Sequence, residues 1–176
     1  MGVCGSSANK FAFTEEDKKY IRISWDQFSQ GDMAENGKLV FTRMFEKSPA
    51  IQDLFYYSTS CKVMSKKFGK NCQFDNHICQ VFDTLGSIVS ILDDCKKLET
   101  SLEDVGSAHA MFAFEKDYFN VGKIVFGECL LVCLEQKLGD SFTPQVKTAW
   151  THFSSFILEF VLAGWTVRMD KLNVYR

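Results

Sequence analysis

Apolar residues recur along this chain at intervals of three and four over most of its length, the interval that describes one face of a helix. The clearest run is Ile78, Val81, Leu85, Ile88 and Leu92, with Val89 widening the stripe. It predicts a long amphipathic helix. Upstream, Thr14 followed by Glu15, Glu16 and Asp17 reads as a helix cap with acids in the first turn. Ile21, Trp25 and Phe28 continue that helix until it fades near Gly31. A second helix carries Leu39, Phe41, Met44 and Phe45 and meets Ser48-Pro49. Ile51 to Phe55 forms a short apolar segment, and a polar loop follows from Ser58 to Lys70.

Beyond the long helix, the pattern predicts a shorter one from Leu98 to Phe112 and another from Asp117 to Leu138. The latter is apolar on nearly every side (Ile124, Val125, Phe126, Leu130, Leu131, Val132, Leu134), which predicts central burial. Gly139 closes it. Thr143-Pro144 then opens a last helix, with the stripe Val146, Trp150, Phe153, Ile157, Phe160 and Val161 running to Gly164-Trp165. No stretch alternates as a strand would, and no internal repeat occurs. The fold class expected is all-α, with six to eight helices in one domain over residues 13–170. A flexible tail, 1–12, precedes it and a C-terminal tail, 171–176, follows.

Composition narrows the function classes. The net charge is -2 and the lysines are dispersed among acids, so no basic patch is available for nucleic acid. No apolar run is long enough to span a membrane, and the N-terminus lacks the apolar stretch of a secretory leader. The expected compartment is therefore cytoplasmic, with thiols mainly reduced. Seven cysteines are an odd number without zinc spacing. Cys129 and Cys133, four apart on a helix, read as core thiols. Cys61 and Cys72 sit in the polar stretch, either as a regulatory disulfide or as two independent thiols. A bond between them would constrain where the helix bearing His77 begins.

Met1-Gly2-Val3-Cys4-Gly5-Ser6 fits the pattern for myristoylation of Gly2, with Cys4 placed to take a palmitoyl chain. One myristoyl chain holds a membrane only weakly, and a second acyl chain makes the attachment stable. The expected location is the inner face of the plasma membrane, with membrane lipid as a partner.

Candidate chemistry rests on three histidines, at 77, 109 and 152. His77 shares a helix face with Val81, and His109 has Leu102, Val105 and Met111 as apolar neighbours. Two histidines on facing helices in apolar surroundings can clasp a metal cofactor. His152 lies beside the apolar stripe of the last helix and reads as a surface or packing residue.

Trp25, the series Phe41, Phe45, Pro49 and Phe55, the pair His77 and Val81, Gly106-Ser-Ala-His109 and the Thr143 to Trp165 stretch stand in the order seen in globins. The chain resembles that family from residue 13 to about 168, in its neuroglobin and globin X branch. The resemblance implies a globin fold around a haem b pocket, with His109 as the proximal iron ligand. His77 would lie over the opposite face, either as a sixth ligand or as hydrogen-bond donor to bound O2. Phe41, Phe55 and Val81 would line the distal side, and Phe114 and Phe119 would flank the haem on the proximal side. Phe45, Phe82 and the last-helix stripe belong to the core in this reading. Two departures stand out. Phe41 is bulkier than the leucine common at its place, and the segment from His109 to Gly139 is about one helical turn longer than usual.

The activity implied is reversible binding of O2 or another diatomic ligand, for transport, storage or sensing. The alternative is a membrane-associated redox globin, fed by a reductase and active in electron transfer or in nitrite or peroxide chemistry. Either way the chain is primarily a binding protein, with redox activity secondary. A haem-free interaction module is the third class, against which the presence of both His77 and His109 argues. For the anchor, Gly2→Ala is expected to move the protein from the membrane to the soluble fraction on fractionation; unchanged partition would refute acylation there.

Overall fold

The computed structural model describes residues 13–52, 54–55, 73–112 and 116–174. Gly2, Cys4, Cys61, Cys72, Phe114 and the loop from Ser58 to Lys70 lie outside them. The described residues form seven α-helices: α1 (Glu15–Phe28), α2 (Met33–Lys47), α3 (Pro49–Gln52), α4 (Gln73–Ser90), α5 (Cys95–Ala110), α6 (Lys116–Leu138) and α7 (Pro144–Val174). One 3-10 turn, Gly139–Ser141, joins the last two. No sheet occurs among these residues, as the apolar spacing predicts.

Local chemistry explains where the helices start. Thr14 and Asp17 form a reciprocal cap on α1: the Asp17 amide donates to Thr14 Oγ1 at 3.1 Å and the Thr14 amide to Asp17 Oδ2 at 2.8 Å. Asp32 caps α2 by accepting from the amides of Ala34 and Glu35. Asp94 caps α5 by accepting from the Lys97 amide at 3.0 Å, so this helix starts at Cys95 and not at Leu98. Leu92 falls beyond α4 yet is fully buried, because the turn after the helix folds it inward.

α1 packs on α7, α2 lies against α4 and α6, and α5 runs along α7 in the most extensive helix contact. The close approach of α2 to α4 depends on Gly37. A Cβ there would sit 2.4 Å from Ile78 Cγ2 and 2.9 Å from the Phe82 ring. Around that crossing the core is aromatic. Trp25 stacks on Phe82 with ring centres 6.4 Å apart at 10°, and also meets Phe28 and Trp150. Buried Trp150 donates its indole N–H to Ser24 Oγ at 2.8 Å, and that hydroxyl donates to the Tyr20 carbonyl at 2.6 Å.

Two expectations need correction. α6 is not buried on all sides: Val121, Ile124 and Val132 are 46%, 51% and 40% exposed. The helix packs against α2 and α7 along part of its surface, and an apolar composition cannot say how many sides will find a neighbour. The last helix does not stop at Gly164-Trp165 but continues to Val174, four residues into the segment expected as a tail. No proline follows Gly164, Trp165 is buried and Met169 packs against the core, so burial carries the helix onward.

Cys129 and Cys133 are buried free thiols, as their spacing predicts, and burial pushes Cys133 up to about 11. Cys95, which the sequence did not single out, is disulfide-bonded. His152 is half exposed and places Nδ1 3.2 Å from Asp17 Oδ2, tying α7 to the α1 cap. None of the described helices is long and apolar enough to cross a membrane.

Ser24→Ala is expected to cost about 2 kcal/mol in denaturant unfolding, because it strands the Trp150 N–H in the core. Pairing it with Trp150→Phe should cost less than the two single changes added together. Burial alone would raise the Asp17 carboxyl, but hydrogen bonds from Thr14 and the nearby His152 outweigh it and hold the pKa below the usual value. A depressed carboxyl stabilises the fold above the unfolded pKa and loses that contribution as pH falls through the folded one. Acid unfolding of Asp17→Asn should therefore be less steep below about pH 4 than that of the wild type.

Candidate functional site

The two histidines that mattered in sequence are brought near enough for the charge of one to act on the other. His77 lies in the second turn of α4, and His109 in the last turn of α5. The site is their pairing, and the walls around each are aromatic.

On the His77 side, three elements supply phenylalanines. The imidazole centre is 5.9 Å from that of Phe41 on α2 and 5.5 Å from that of Phe55, just after α3. Phe41 and Phe55 meet edge to face at 5.9 Å. Phe74, one turn before Ile78 on α4, touches Phe41 at 5.4 Å and Phe55 at 5.8 Å. Phe74 was missed in sequence because it lies at the edge of the polar stretch, although its position extends the α4 stripe by one turn. Phe126 of α6 also reaches Phe41, at 5.9 Å. Phe45 contacts Phe55 and Phe74 from behind, the core role expected of it. Val81 follows His77 by one turn and is half-buried against the core.

Burial sets the charge on His77. Removal from water penalises the protonated ring, and the charge of His109 adds to the penalty, so the pKa falls to about 4. The ring is neutral at physiological pH, with one N–H and one bare nitrogen.

His109 is oriented by its own helix. Its Nδ1 lies 2.8 Å from the Val105 carbonyl, one turn back. A carbonyl only accepts, so Nδ1 carries a proton, and in the neutral ring the lone pair lies on Nε2. Beside it stands Phe119, with ring centres 5.7 Å apart. Phe119 in turn stacks on Trp165 of α7 at 5.4 Å and 19°, and the Lys123 ammonium lies 5.0 Å from its ring centre. The sequence placed Trp165 at the end of the last helix and gave it no part in the site, because Gly164 before it resembled a helix end.

Among the described residues, no group of three or more His, Cys, Asp or Glu could hold a metal ion by itself. Two imidazoles suit a different requirement. They could hold an iron whose other four ligands come with a flat macrocycle, and aromatic and aliphatic walls suit that macrocycle's faces. The donor set and its surroundings fit haem.

Comparison with known proteins agrees with this geometry. The globin family model matches residues 38–160. Neuroglobin-1 of Oncorhynchus mykiss is 30% identical over 152 residues, covering 86% of this chain and 92% of the relative. Neuroglobin of Danio rerio is 32% identical with the same coverage. Among solved structures, a hexacoordinated haem protein from an anhydrobiotic tardigrade, determined at pH 4, superposes with a TM-score of 0.73. It is 23% identical, and the match covers 89% of this chain and 97% of that one, a likeness of fold. With a family model matching residues 38–160 and relatives of this kind over most of its length, the chain belongs to the globin family and is neuroglobin-like.

Proposed function

We propose that this haem-binding globin holds its iron through His109 and uses His77 as a competing sixth ligand that diatomic molecules must displace. The observation that carries the reading is the half-buried His77, set against Phe41 and Phe55 and within electrostatic reach of His109. Haem b, when bound, supplies reversible ligand binding and one-electron chemistry at its iron. The remaining work falls to the residues of this chain.

His109 presents Nε2, because its Nδ1–H is committed to the Val105 carbonyl. That bond also prevents the ring from turning and raises the donor strength of Nε2. A neutral His77 can serve in two ways. Its bare nitrogen can bind iron, or its N–H can donate to a bound O2. Phe41 and Phe55 decide between them by crowding. They leave His77 little room to swing aside, and Phe41 narrows the space for an incoming ligand. If His77 held the sixth position 99% of the time, apparent O2 affinity would fall about 100-fold. The solved tardigrade protein of this fold is described as hexacoordinated, in keeping with this reading.

The second reading, a membrane-associated redox globin, draws on the Gly2 and Cys4 pattern. Bulk O2 transport gains nothing from an anchor, whereas electron exchange with a reductase at the inner membrane face does. A six-coordinate iron also changes oxidation state with little rearrangement of its ligands, which suits electron transfer.

The deciding measurement is the visible spectrum of the haem-loaded protein, reduced and free of gas. Two sharp bands are expected for the wild type and one broad band for His77→Leu. That variant should bind O2 more tightly, by up to about 100-fold. A single broad band in the wild type would overturn six-coordination and leave simple reversible O2 binding as the function. Undiminished haem retention by His109→Ala would overturn the assignment of the proximal ligand.

A further inference from the structure

We propose that Gly106 and Gly164 are positioning residues for His109, and that the backbone contact they permit between α5 and α7 sets where its imidazole stands. The inference rests on the proposal that His109 binds iron, and extends it to two residues that no ligand touches.

A Cβ added at Gly106 would lie 1.9 Å from the Val161 carbonyl oxygen and 2.8 Å from the Trp165 amide nitrogen. One added at Gly164 would lie 1.9 Å from the Glu103 carbonyl oxygen and 2.6 Å from Glu103 Cα. Each helix thus lays a glycine against the backbone of the other, over the single turns Glu103 to Gly106 and Val161 to Trp165. The obstructing atoms are main chain and cannot swing away as a side chain could. Ordinary contact begins near 3.4 Å, so one methyl group at either site must part the two backbones by about 1.5 Å there.

What separates this from plain packing is that both supports of the imidazole are attached to the crossing. The Val105 carbonyl that accepts from His109 Nδ1 belongs to the same peptide unit as the Gly106 nitrogen. Displacing Gly106 therefore moves the acceptor. The ring beside the imidazole is Phe119, and it stacks on Trp165, whose amide nitrogen is itself one of the atoms pressed on Gly106. His109 follows Gly106 by three residues, a rise of about 4.5 Å along the helix. A shift at the crossing is carried rigidly to the ligand. By contrast, a Cβ at Gly127 would meet Ser154 at an ordinary 3.7 Å, and Gly127 has no link to either support.

The test uses the full-length, haem-loaded protein in a His77→Leu background, where His109 is the one axial protein ligand and its iron–imidazole stretch is readable by resonance Raman. Gly106→Ala and Gly164→Ala are compared with Gly127→Ala, and haem loss to a scavenging apoprotein is timed in parallel. The two crossing variants should shift the stretch in the same direction and lose haem about tenfold faster, while Gly127→Ala changes neither. Folded crossing variants with the parent's frequency and haem-loss rate would overturn the proposal, since a merely structural contact predicts that result. Should neither variant fold, hydrogen exchange on the haem-loaded wild type decides. Amides from Gly106 to His109 are expected to be as protected as those from Val161 to Trp165; exchange as fast as in the first turn of α5 overturns the coupling. Failure of the parent to take up haem would overturn the iron reading itself, an outcome distinct from normal uptake with an unmoved stretch.

Discussion

An imidazole binds iron only through a nitrogen that carries no proton, and an imidazole that titrates near neutrality would lose that nitrogen whenever the pH dropped. His77 escapes this because partial burial and the nearby charge of His109 lower its pKa to about 4. At His109 the Val105 carbonyl accepts from Nδ1–H, so in the neutral ring the lone pair lies on Nε2. Burial acts on one imidazole, and a backbone hydrogen bond fixes the tautomer of the other. The aromatic walls follow from the same need, because rings exclude water without offering donors that would compete for those nitrogens.

Holding such a space open is a packing problem, and here glycine and phenylalanine solve it together. Helices approach closely where glycine stands, at Gly37 between α2 and α4 and at Gly106 and Gly164 between α5 and α7. Phenylalanines fill the wider gaps between helices on the His77 side, where Phe41, Phe45, Phe55 and Phe74 touch one another. On the His109 side Phe119 stands between the imidazole and Trp165. The two halves of the site are therefore built differently. One is a cluster that limits motion by crowding, and the other is a short stack braced against a backbone contact.

Much of this was legible in order along the chain. The helices announced themselves through the 3 and 4 spacing of Ile78 to Leu92, through the Thr14 and Asp17 cap, and through Thr143-Pro144. His77, His109, Phe41, Phe55 and Phe119 were legible as a set, because their order and intervals match a family even though each alone is weak. Residues whose role depends on a neighbour distant in sequence were not. Phe74 looked like the edge of a loop, and Trp165 looked like the end of a helix. The apolar composition of α6 suggested full burial, yet Val121, Ile124 and Val132 face outward.

By itself, the sequence determined which segments are helical and which side chains are available for chemistry, since both follow from local spacing and residue type. Only the tertiary structure decided that His77 and His109 lie within electrostatic reach of one another, which side chains wall them, and that Gly106 and Gly164 each meet the backbone of the other helix. The physical reason is that burial and contact are properties of pairs of helices. The charge state of His77 depends on what surrounds it, and a glycine becomes necessary only once another backbone has arrived within reach of its missing Cβ.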